Sequence, residues 1–463
     1  MKFVLSLINN PVKIILSEDF SVKPSFRGKC GKTGNFEDLE KVACKIIMPY
    51  YTKYICGCQS SECAKYGTVY PASLSGPAGG SCRAEGEETK EMEKSEMSDL
   101  DLIRQAAHHF VNEEQVLDIQ PFGTGHINDT YAVTVEDNAG QKNLVLQRIN
   151  HEIFRHPEEV MENILHVTSH LRRKIAEAGG DCERETLVVI PSDDGKPYYK
   201  DENGNYYRMN KKIERAVCYD EVREPRDFYE SAVAFGHFQS MLADVPAEQL
   251  HETIPGFHDT RARFDRFCQV VEEDKMGRAS EMEEEIQFVK ERQHLTEILG
   301  KMQESGELPL RVTHNDTKLN NVMLDAESGK AVCVIDLDTV MPGLAVNDFG
   351  DSIRFGASTG AEDEVDLDKI SCSMELFDIY TKGFVEGCDG RLTQEELKAL
   401  PLGAIVMTLE CGMRFLTDYL EGDVYFKVHR EGHNRDRCRT QFKLVKDMED
   451  KWEEMQRIVE KYM

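Results

Sequence analysis

The sequence predicts an α+β protein in which a small lobe, built on a mostly antiparallel sheet, is followed by a larger, mostly helical lobe. Short apolar segments separated by turn residues occupy residues 116–209, which is typical of such a sheet. After residue 226 the apolar residues recur mainly at helical spacing, and three short strand-like segments interrupt them. Two lobes of this kind leave a cleft between them, where small ligands bind preferentially.

The predicted elements follow the chain in this order. A first helix begins after Ser98 or Asp99, either of which can cap it, and Ile103 and Ala107 lie on its apolar stripe. In the small lobe we predict a helix at 158–178 and strands at 117–121, 130–135, 144–149, 186–190 and 206–209. In the larger lobe we predict strand-like segments at 310–313, 322–324 and 332–335, and helices at 228–242, at 281–303 and from 365 to the end.

The composition argues against several classes of function. The chain has 463 residues, of which 84 are acidic and 56 are basic, so its formal net charge is −28. Such a surface repels phosphate backbones and anionic lipids, and we expect neither nucleic acid nor membrane as a partner. No apolar run approaches the roughly 20 residues of a membrane span, and the apolar stretch at residues 3–8 is too short for a signal-peptide core. We therefore expect a cytoplasmic protein, and a monomer.

The chain is predicted to have three parts. Residues 1–96 show weak periodicity and end in linker-like sequence, so we expect an atypical or poorly structured extension, or a start codon placed too early. Residues 97–215 form the sheet lobe, and residues 216–463 form the helical lobe. The extension contains clustered cysteines that could ligate zinc, but it has no C-x2-C pair and no partner histidine knuckle, so zinc is disfavoured. These cysteines are Cys56, Cys58 and Cys63.

The most informative residues are an aspartate, an asparagine five positions later, and a second aspartate that ends an apolar strand. Asp316 can accept the proton of an attacking hydroxyl, while Asn321 and Asp336 offer hard oxygen ligands to a magnesium ion bound to nucleotide phosphates. Each residue also has an ordinary structural interpretation as a turn residue or a strand end. Their order and spacing together favour a phosphoryl-transfer site, in which we expect His314 to have a structural role.

A second element lies upstream, in a glycine-containing turn between two predicted strands. Gly123 and Gly125 would let backbone amides approach a triphosphate closely, although an ordinary hairpin has the same pattern. Arg148 on the following strand could reach the phosphates, or it could be an exposed strand charge. Glu162 is the best-spaced carboxylate to pair with Arg148, although two other glutamates on the same helix compete and a solvated helix face explains all three.

These motifs together resemble the aminoglycoside phosphotransferase and choline kinase family, and most closely its N-acetylhexosamine 1-kinase branch. The resemblance extends over residues 98–463 and leaves the extension unexplained. The segments that carry it are G-H-I-N-D-T at 125–130, H-N-D-T-K-L-N-N at 314–321, I-D-L-D-T-V-M-P-G at 335–343, D-F-G-D at 348–351 and R-F-L-T-D-Y-L-E-G-D at 414–423.

The resemblance implies a two-lobed protein-kinase-like fold and an ATP- and Mg²⁺-dependent kinase. In that branch the γ-phosphoryl group of ATP passes to the anomeric hydroxyl of GlcNAc or GalNAc, so the implied partner is a small-molecule sugar. The sheet lobe would bind the nucleotide, and the helical lobe would hold the catalytic base Asp316 and the metal ligands Asn321 and Asp336. The residues that the resemblance places at the sugar are His126, Phe355, Arg414 and Tyr425.

Those sugar contacts have structural alternatives. Phe355 could belong to the core, Arg414 could pair with Asp418 on its own helix, and Tyr425 could anchor a loop. The segment 208–215 is more basic and less aromatic than an adenine-binding hinge should be, although backbone groups near Met209 could still contact the purine.

Two competing functions remain at this point. One is a kinase of the same fold for another alcohol, such as choline, homoserine, an aminoglycoside or 5-hydroxylysine. Cationic acceptors want an acidic or aromatic cage, which an arginine at position 414 disfavours. The other is a catalytically inactive binding module, which predicts the loss of Asp316, Asn321 or Asp336; all three are present.

Overall fold

The computed structural model of the chain describes residues 2–6, 13–17, 99–111, 116–123, 127–138 and 140–463. The chain divides into two units, Met1–Met92 and Glu93–Met463. In the first unit, strand β1 (Lys2–Ser6) pairs with strand β2 (Lys13–Ser17) in antiparallel orientation. The cysteines considered as zinc ligands lie outside the described residues.

The second unit begins with helix α1 and an antiparallel sheet in the order β3-β4-β5-β8-β6, with β7 also pairing with β8. Helix α1 covers one face of this sheet through Ile103, Ala106 and Ala107. The predicted strand at 186–190 is shorter than expected, because only two of its residues pair with β8. The elements are α1 (Asp99–His108), β3 (Val116–Pro121), β4 (Asp129–Asp137), β5 (Gly140–Ile149), β6 (Val189–Ile190), β7 (Tyr199–Lys200) and β8 (Tyr206–Lys211).

Helix α2 (Pro157–Ala178) lies between β5 and β6 in the chain and belongs to a core that joins the two lobes. Proline at its first turn lacks an N–H that the helix would leave unpaired, and Gly179 ends the helix in a left-handed conformation with φ of 78°. Apolar residues of α2 pack in one cluster with Phe238 and with Val312 and Leu337 of the helical lobe. The sheet lobe is therefore attached to the helical lobe by buried apolar contacts.

The helical lobe contains the remaining elements, and the predicted α+β fold of a sheet lobe followed by a helical lobe is confirmed. Its short strands form two small sheets, β12-β11-β9 and β10-β13. The strands are β9 (Ala216–Val217), β10 (Arg311–Thr313), β11 (Val322–Asp325), β12 (Ala331–Val334) and β13 (Met341–Gly343). The helices are α3 (Pro225–Leu242), α4 (Thr260–Glu273), α5 (Glu283–Glu291), α6 (Gln293–Glu304), α7 (Ala345–Gly356), α8 (Met374–Cys388), α9 (Gln394–Glu421), α10 (His433–Asp450) and α11 (Trp452–Glu460).

Two helix predictions differ from the structure. The helix predicted at 281–303 is divided at Arg292, whose guanidinium binds both carboxylate oxygens of Glu449 at 2.8 Å and lies over the ring of Phe288. The helix predicted from 365 begins only at Met374, because the preceding residues form an isolated bridge between Ser358 and Cys372. In both places a long-range contact competes with the local helical pattern.

Helix α9 is the central helix of the large lobe. Thr393 and Glu396 form a capping box at its start, and Gly422 ends it in a left-handed conformation. By length and composition this helix could cross a membrane, but 83% of its apolar window is buried inside the protein. Its apolar composition is explained by its position in the core.

Helices α3 and α8 cross at very short distance through glycines. A Cβ atom on Gly236 would lie 2.3 Å from the carbonyl oxygen of Phe384, and one on Gly387 would lie 2.5 Å from that of Val233. Neither carbonyl oxygen can move without moving its helix. The crossing therefore requires glycine on both helices.

We predict that Gly387→Ala lowers the free energy of unfolding by about 1–3 kcal/mol, because the new methyl group overpacks the crossing. Gly300→Ala is the matched control, since Gly300 lies in α6 with no heavy atom within 4 Å of its added Cβ. There alanine should stabilise by about 0.5–1 kcal/mol through helix propensity. Urea denaturation of both variants measures the difference, and equal effects of one sign would contradict the close crossing.

Candidate active site

The loop that follows β10 is held by one buried carboxylate. The side chain of Asp348, in α7, accepts the backbone N–H groups of His314 at 2.9 Å and Asn315 at 2.7 Å, and the amide of Gln239 at 2.6 Å. Burial raises the pKa of Asp348, although these donors oppose the rise. Asn315 has φ of 64°, a left-handed conformation that asparagine tolerates well. The loop thereby turns sharply just before Asp316.

His314 connects this loop to the residue that precedes Asp336. Its Nε2 atom lies 2.9 Å from the carbonyl oxygen of Ile335, and its Nδ1 atom accepts the backbone N–H of Asp316 at 3.3 Å. The ring is buried between Phe235 and Phe238. These contacts agree with the structural role predicted for His314.

Asp316 and Asn321 are brought together at the end of this loop. The side-chain amide of Asn321 donates to the backbone carbonyl of Asp316 at 2.7 Å and to its carboxylate at 3.0 Å. Lys318 Nζ lies 2.8 Å from the other carboxylate oxygen. Partial burial opposes ionisation, but the Lys318 ammonium outweighs it, so the pKa of Asp316 is lowered. Asp316 is therefore an oriented, ionised carboxylate, and its lysine partner was not predicted.

Asp336 lies near the same carboxylate and follows β12 in a left-handed conformation with φ of 59°. Its side chain is accessible from the solvent and, within the described part of the chain, has no hydrogen-bond or ion-pair partner. The pKa of Asp336 is raised to about 6. Desolvation is the largest cause, and the negative charges of Asp338 and Asp316 add to it. A carboxylate that lacks a partner and is repelled by its neighbours is stabilised by a cation.

The donor set fits magnesium. The side-chain nitrogen of Asn321 donates to Asp316, and its side-chain oxygen, Oδ1, receives no donor from the described residues. Asn321 and Asp336 can therefore present two hard oxygen atoms, and Mg²⁺ needs few protein ligands because it keeps several waters and binds phosphate oxygens. In the same described ranges, no group of three or more His, Cys, Asp or Glu side chains could hold a metal ion.

The pairing predicted between Arg148 and Glu162 is wrong. Arg148 binds Asp129, its register partner on β4, at 2.5 and 2.9 Å, while Glu162 lies 2.8 Å from His251. Side chains alternate between the two faces of a strand, and Arg148 shares the parity of Leu146, which is buried on the α1 face. The Arg148 side chain therefore lies on the outer face of the sheet, which is the face covered by α1. The structure does not support the phosphate contact predicted for it.

The basic residue on the opposite face is Arg208 of β8. Its guanidinium forms a buried ion pair with Asp338 and also donates to Gln147, its register partner on β5, at 2.9 Å. Strand parity could have shown that Gln147 and Arg148 face opposite ways. The same parity places the side chain of Met209 in the α1 core, fully buried. The backbone of Met209 pairs with β5 on one side and with β6 on the other, and its predicted contact with a purine stays a prediction.

The glycine turn is described in part. Gly123 has φ of 80°, which favours glycine, and a Cβ atom there would meet no heavy atom of the described residues within 4 Å. Gly125 and His126 lie outside the described residues. Asn128, further along the turn, donates to the carboxylate of Asp338 at 2.6 Å. The turn is thus tied to the residue two positions after Asp336.

Arg414 is surrounded by aromatic rings. Its guanidinium lies 5.5 Å from the ring of Phe257, 5.8 Å from that of Tyr425 and 5.4 Å from that of Phe426. Nothing among the residues that the structure describes forms an ion pair or hydrogen bond with it. The considered pairing with Asp418 is absent, because the Asp418 carboxylate faces a loop instead.

The loop that carries Tyr425 is fixed by that carboxylate. Asp418 accepts the backbone N–H groups of Val424, Tyr425 and Phe426 at 2.7–2.9 Å, and the amide of Asn434 at 2.8 Å. This network places two aromatic rings against Arg414, while Tyr425 itself is 58% exposed and can still contact a ligand.

Two further residues bear on the proposed acceptor contacts. Phe355, at the end of α7, is half-buried and belongs to none of the hydrophobic clusters of the described chain. The core interpretation of Phe355 is therefore disfavoured. His258 lies 3.1 Å from the carbonyl oxygen of Asn315 and 2.9 Å from Glu410, and its ring contacts that of Phe257. A chain of contacts thus connects Arg414 to the loop of Asp316.

The His258–Glu410 pair should make stability depend on pH. Burial opposes a charge on His258, but Glu410 outweighs it and raises the pKa of His258 above its usual 6.5. Burial likewise opposes ionisation of Glu410, but His258 lowers its pKa below 4.5. The histidine contribution is complete below pH 6.5 and is lost as pH rises through the raised value, whereas the glutamate contribution is complete above pH 4.5.

We predict that His258→Gln lowers the free energy of unfolding by about 1–3 kcal/mol at about pH 5.5, and by less at about pH 9. Urea denaturation at both pH values measures this. His251→Gln is the control, because His251 and Glu162 form an exposed pair whose loss should cost less than about 1 kcal/mol. An equal loss at both pH values for His258→Gln would contradict a charged histidine.

Comparison with known structures shows the same fold. An aminoglycoside phosphotransferase from Alicyclobacillus acidocaldarius is 10% identical, covers 81% of this chain and 100% of its own, and superimposes with a TM-score of 0.50. The chain is also similar to an ethanolamine kinase from Plasmodium vivax (13% identity, 76% and 92% coverage, TM-score 0.48) and to a choline kinase from Cryptosporidium parvum (14%, 78% and 96%, 0.46).

The sequence comparison covers the part of the chain that builds the cleft. The model of the phosphotransferase enzyme family, APH, matches residues 118–370, more than half of the chain. That range includes the glycine turn, the loop of Asp316 and the residues around Asp336. The chain belongs to the phosphotransferase enzyme family and is a small-molecule phosphotransferase.

Proposed function

We propose that the protein is a Mg²⁺- and ATP-dependent kinase that phosphorylates an N-acetylhexosamine, GlcNAc or GalNAc, on its anomeric hydroxyl. The observation that carries the kinase assignment is the pair of carboxylates at the cleft. Asp316 is oriented by Asn321 and held ionised by Lys318, and Asp336 lies nearby without a partner among the described residues. One carboxylate suits a hydroxyl proton and the other suits a metal ion.

The nucleotide would lie between the glycine turn and the loop of Asp316. Asn321 and Asp336 would hold Mg²⁺, which neutralises charge on the phosphates. The backbone near Gly123 is open enough for a phosphate to approach. Asn128 ties this turn to Asp338, so phosphate binding and metal binding would occur at one connected site.

Asp316 would accept the proton of the attacking sugar hydroxyl. Because its pKa is lowered, it is a weak base, and most of the acceleration must come from positioning and charge neutralisation. This suits a loose phosphoryl-transfer transition state, in which the proton leaves late. Lys318 would keep Asp316 ionised and oriented between turnovers.

The acceptor assignment depends on the surroundings of Arg414. A guanidinium among three aromatic rings, with no ion-pair partner in the described chain, can donate to a hydroxyl or to an acetamido oxygen. The exposed ring of Tyr425 and the half-buried ring of Phe355 can cover apolar sugar faces. His126 would contribute from the glycine turn. A cationic acceptor would be repelled by Arg414, which argues against choline-like substrates. Neutral or anionic alcohols of other kinds fit the phosphotransfer residues equally well.

The proposal is tested by product analysis of the full chain with ATP and Mg²⁺. We expect an anomeric phosphate doublet in the NMR spectrum when GlcNAc or GalNAc is the acceptor, and little ADP release with choline, homoserine, 5-hydroxylysine or an aminoglycoside. Activity confined to one of those other alcohols would reject the sugar assignment but keep the kinase. The absence of transfer to every acceptor, with nucleotide binding intact, would favour the binding-module alternative.

We predict that Asp316→Asn lowers kcat by about 10²–10⁴-fold, because it removes the proton acceptor without changing the shape of the site. Coupled ADP-release kinetics with the best acceptor measures this, with circular dichroism as a check of folding. Asn320→Ala is the control, since its amide binds Asp220 near the surface at 3.1 Å. Turnover of Asp316→Asn close to that of the unmodified chain would reject Asp316 as the base.

A further inference from the structure

The two lobes share a buried ion pair beside the proposed metal site. Arg208 and Asp338 have side chains that are 4% and 3% exposed, and Nη1 of the arginine donates to Oδ1 of the aspartate. Arg208 lies on the sheet of the small lobe, whereas Asp338 lies in a short 3₁₀ turn of the large lobe, Leu337–Thr339. The pair therefore joins residues 130 positions apart in the chain.

Asp338 accepts a hydrogen bond on each of its three oxygen atoms, two in the carboxylate and one in the backbone carbonyl. Oδ2 accepts the side-chain amide of Asn128 at 2.6 Å, and the backbone carbonyl accepts the hydroxyl of Thr253 at 3.0 Å. Arg208 is oriented in turn by Gln147, which donates to Thr130 at 3.1 Å. The network thus includes the glycine turn, three strands of the sheet and the turn that follows Asp336.

Asp336 depends on this network for its direction. It is the residue immediately before the 3₁₀ turn and adopts a left-handed conformation, which few residue types other than glycine, asparagine and aspartate adopt. Its own carboxylate has no protein partner in the described ranges, so its position must be set by the backbone on either side. His314 holds that backbone on one side through Ile335, and Asp338 holds it on the other.

We propose that Arg208 and Asp338 act as a positioning clamp that aims Asp336 at the metal and couples it to the phosphate-binding turn through Asn128. The clamp rests on the proposed kinase function. Arg208 and Asp338 are positioning residues, because each acts through a neighbour and both are buried behind the cleft surface.

A purely structural role would not require charges here. Burying an ion pair costs desolvation, and well-packed apolar residues of similar volume are often as stabilising. An apolar pair, however, could not bind the amides of Asn128 and Gln147. The charged pair can therefore be replaced without loss of folding but not without loss of the connection between the turn and Asp336.

The test compares the full chain with the double variant Arg208→Met/Asp338→Leu. We expect it to fold with a similar Tm, while kcat and the affinity for Mn²⁺·ADP each fall by about 10–100-fold, as for other residues that orient a metal ligand. KM for the acceptor should not change. Calorimetric titration of Mn²⁺·ADP needs no acceptor, so it tests the clamp even if the proposed sugar is wrong.

The matched control is Arg292→Met/Glu449→Leu, which removes another arginine–carboxylate pair between distant segments but lies outside the network. It should leave Mn²⁺·ADP affinity unchanged. If the clamp double variant does not fold, Asn128→Ala provides the second measurement. It removes the hydrogen bond to Asp338, and also the acceptor of the Asn150 backbone N–H at 2.9 Å, without leaving a buried charge. It should weaken Mn²⁺·ADP binding with at most a small decrease in Tm. Arg208→Lys, which keeps the charge but not the fork, should restore part of the activity lost in Arg208→Met. A folded double variant or Asn128→Ala that binds Mn²⁺·ADP like the unmodified chain would overturn the proposal.

Discussion

One buried carboxylate determines the shape of the loop on which the chemistry depends. Asp348 accepts two consecutive backbone N–H groups, of His314 and Asn315, that no strand or helix satisfies. An unpaired buried N–H group is costly, so the loop is stable only with an acceptor at this place. The same helix supplies further ties through Asp351, which accepts the backbone N–H of Thr317, and Ser352, which donates to the carbonyl of that residue. Asp316 emerges between these two sets of hydrogen bonds.

Two of the three neighbouring carboxylates have a cationic partner in the protein, and the third does not. Asp316 has Lys318 and Asp338 has Arg208, whereas Asp336 has no partner within the described chain and its pKa is raised to about 6. In a chain with a net charge of −28, an isolated carboxylate beside two others is unfavourable without a cation. The protein residues therefore supply cations for two of the three carboxylates and leave the third available to a metal ion.

The proposed acceptor side is organised by the same physical means as the catalytic loop. Asp418 holds the loop of Tyr425 and Phe426 through three backbone N–H groups, much as Asp348 holds the loop of Asp316. In each case a buried aspartate in a core helix converts an irregular segment into a fixed one. Within the described chain Arg414 forms no ion pair, because the Asp418 carboxylate on the same helix accepts the backbone N–H groups of the loop instead.

The sequence by itself determined the lobes and the chemistry-bearing residues of the large lobe. Period-two and helical patterns reflect burial on one face, so they predicted the sheet lobe, the helical lobe and most element positions. The spacing of Asp316, Asn321 and Asp336 is local to one loop and two short strands, and their proximity followed from it. Only the tertiary structure decided which arginine lies at this site: Arg148 turned out to face outward, and Arg208 is the buried partner of the neighbouring carboxylate, Asp338. Such pairings depend on strand register and on contacts between segments more than a hundred residues apart, which local patterns do not encode.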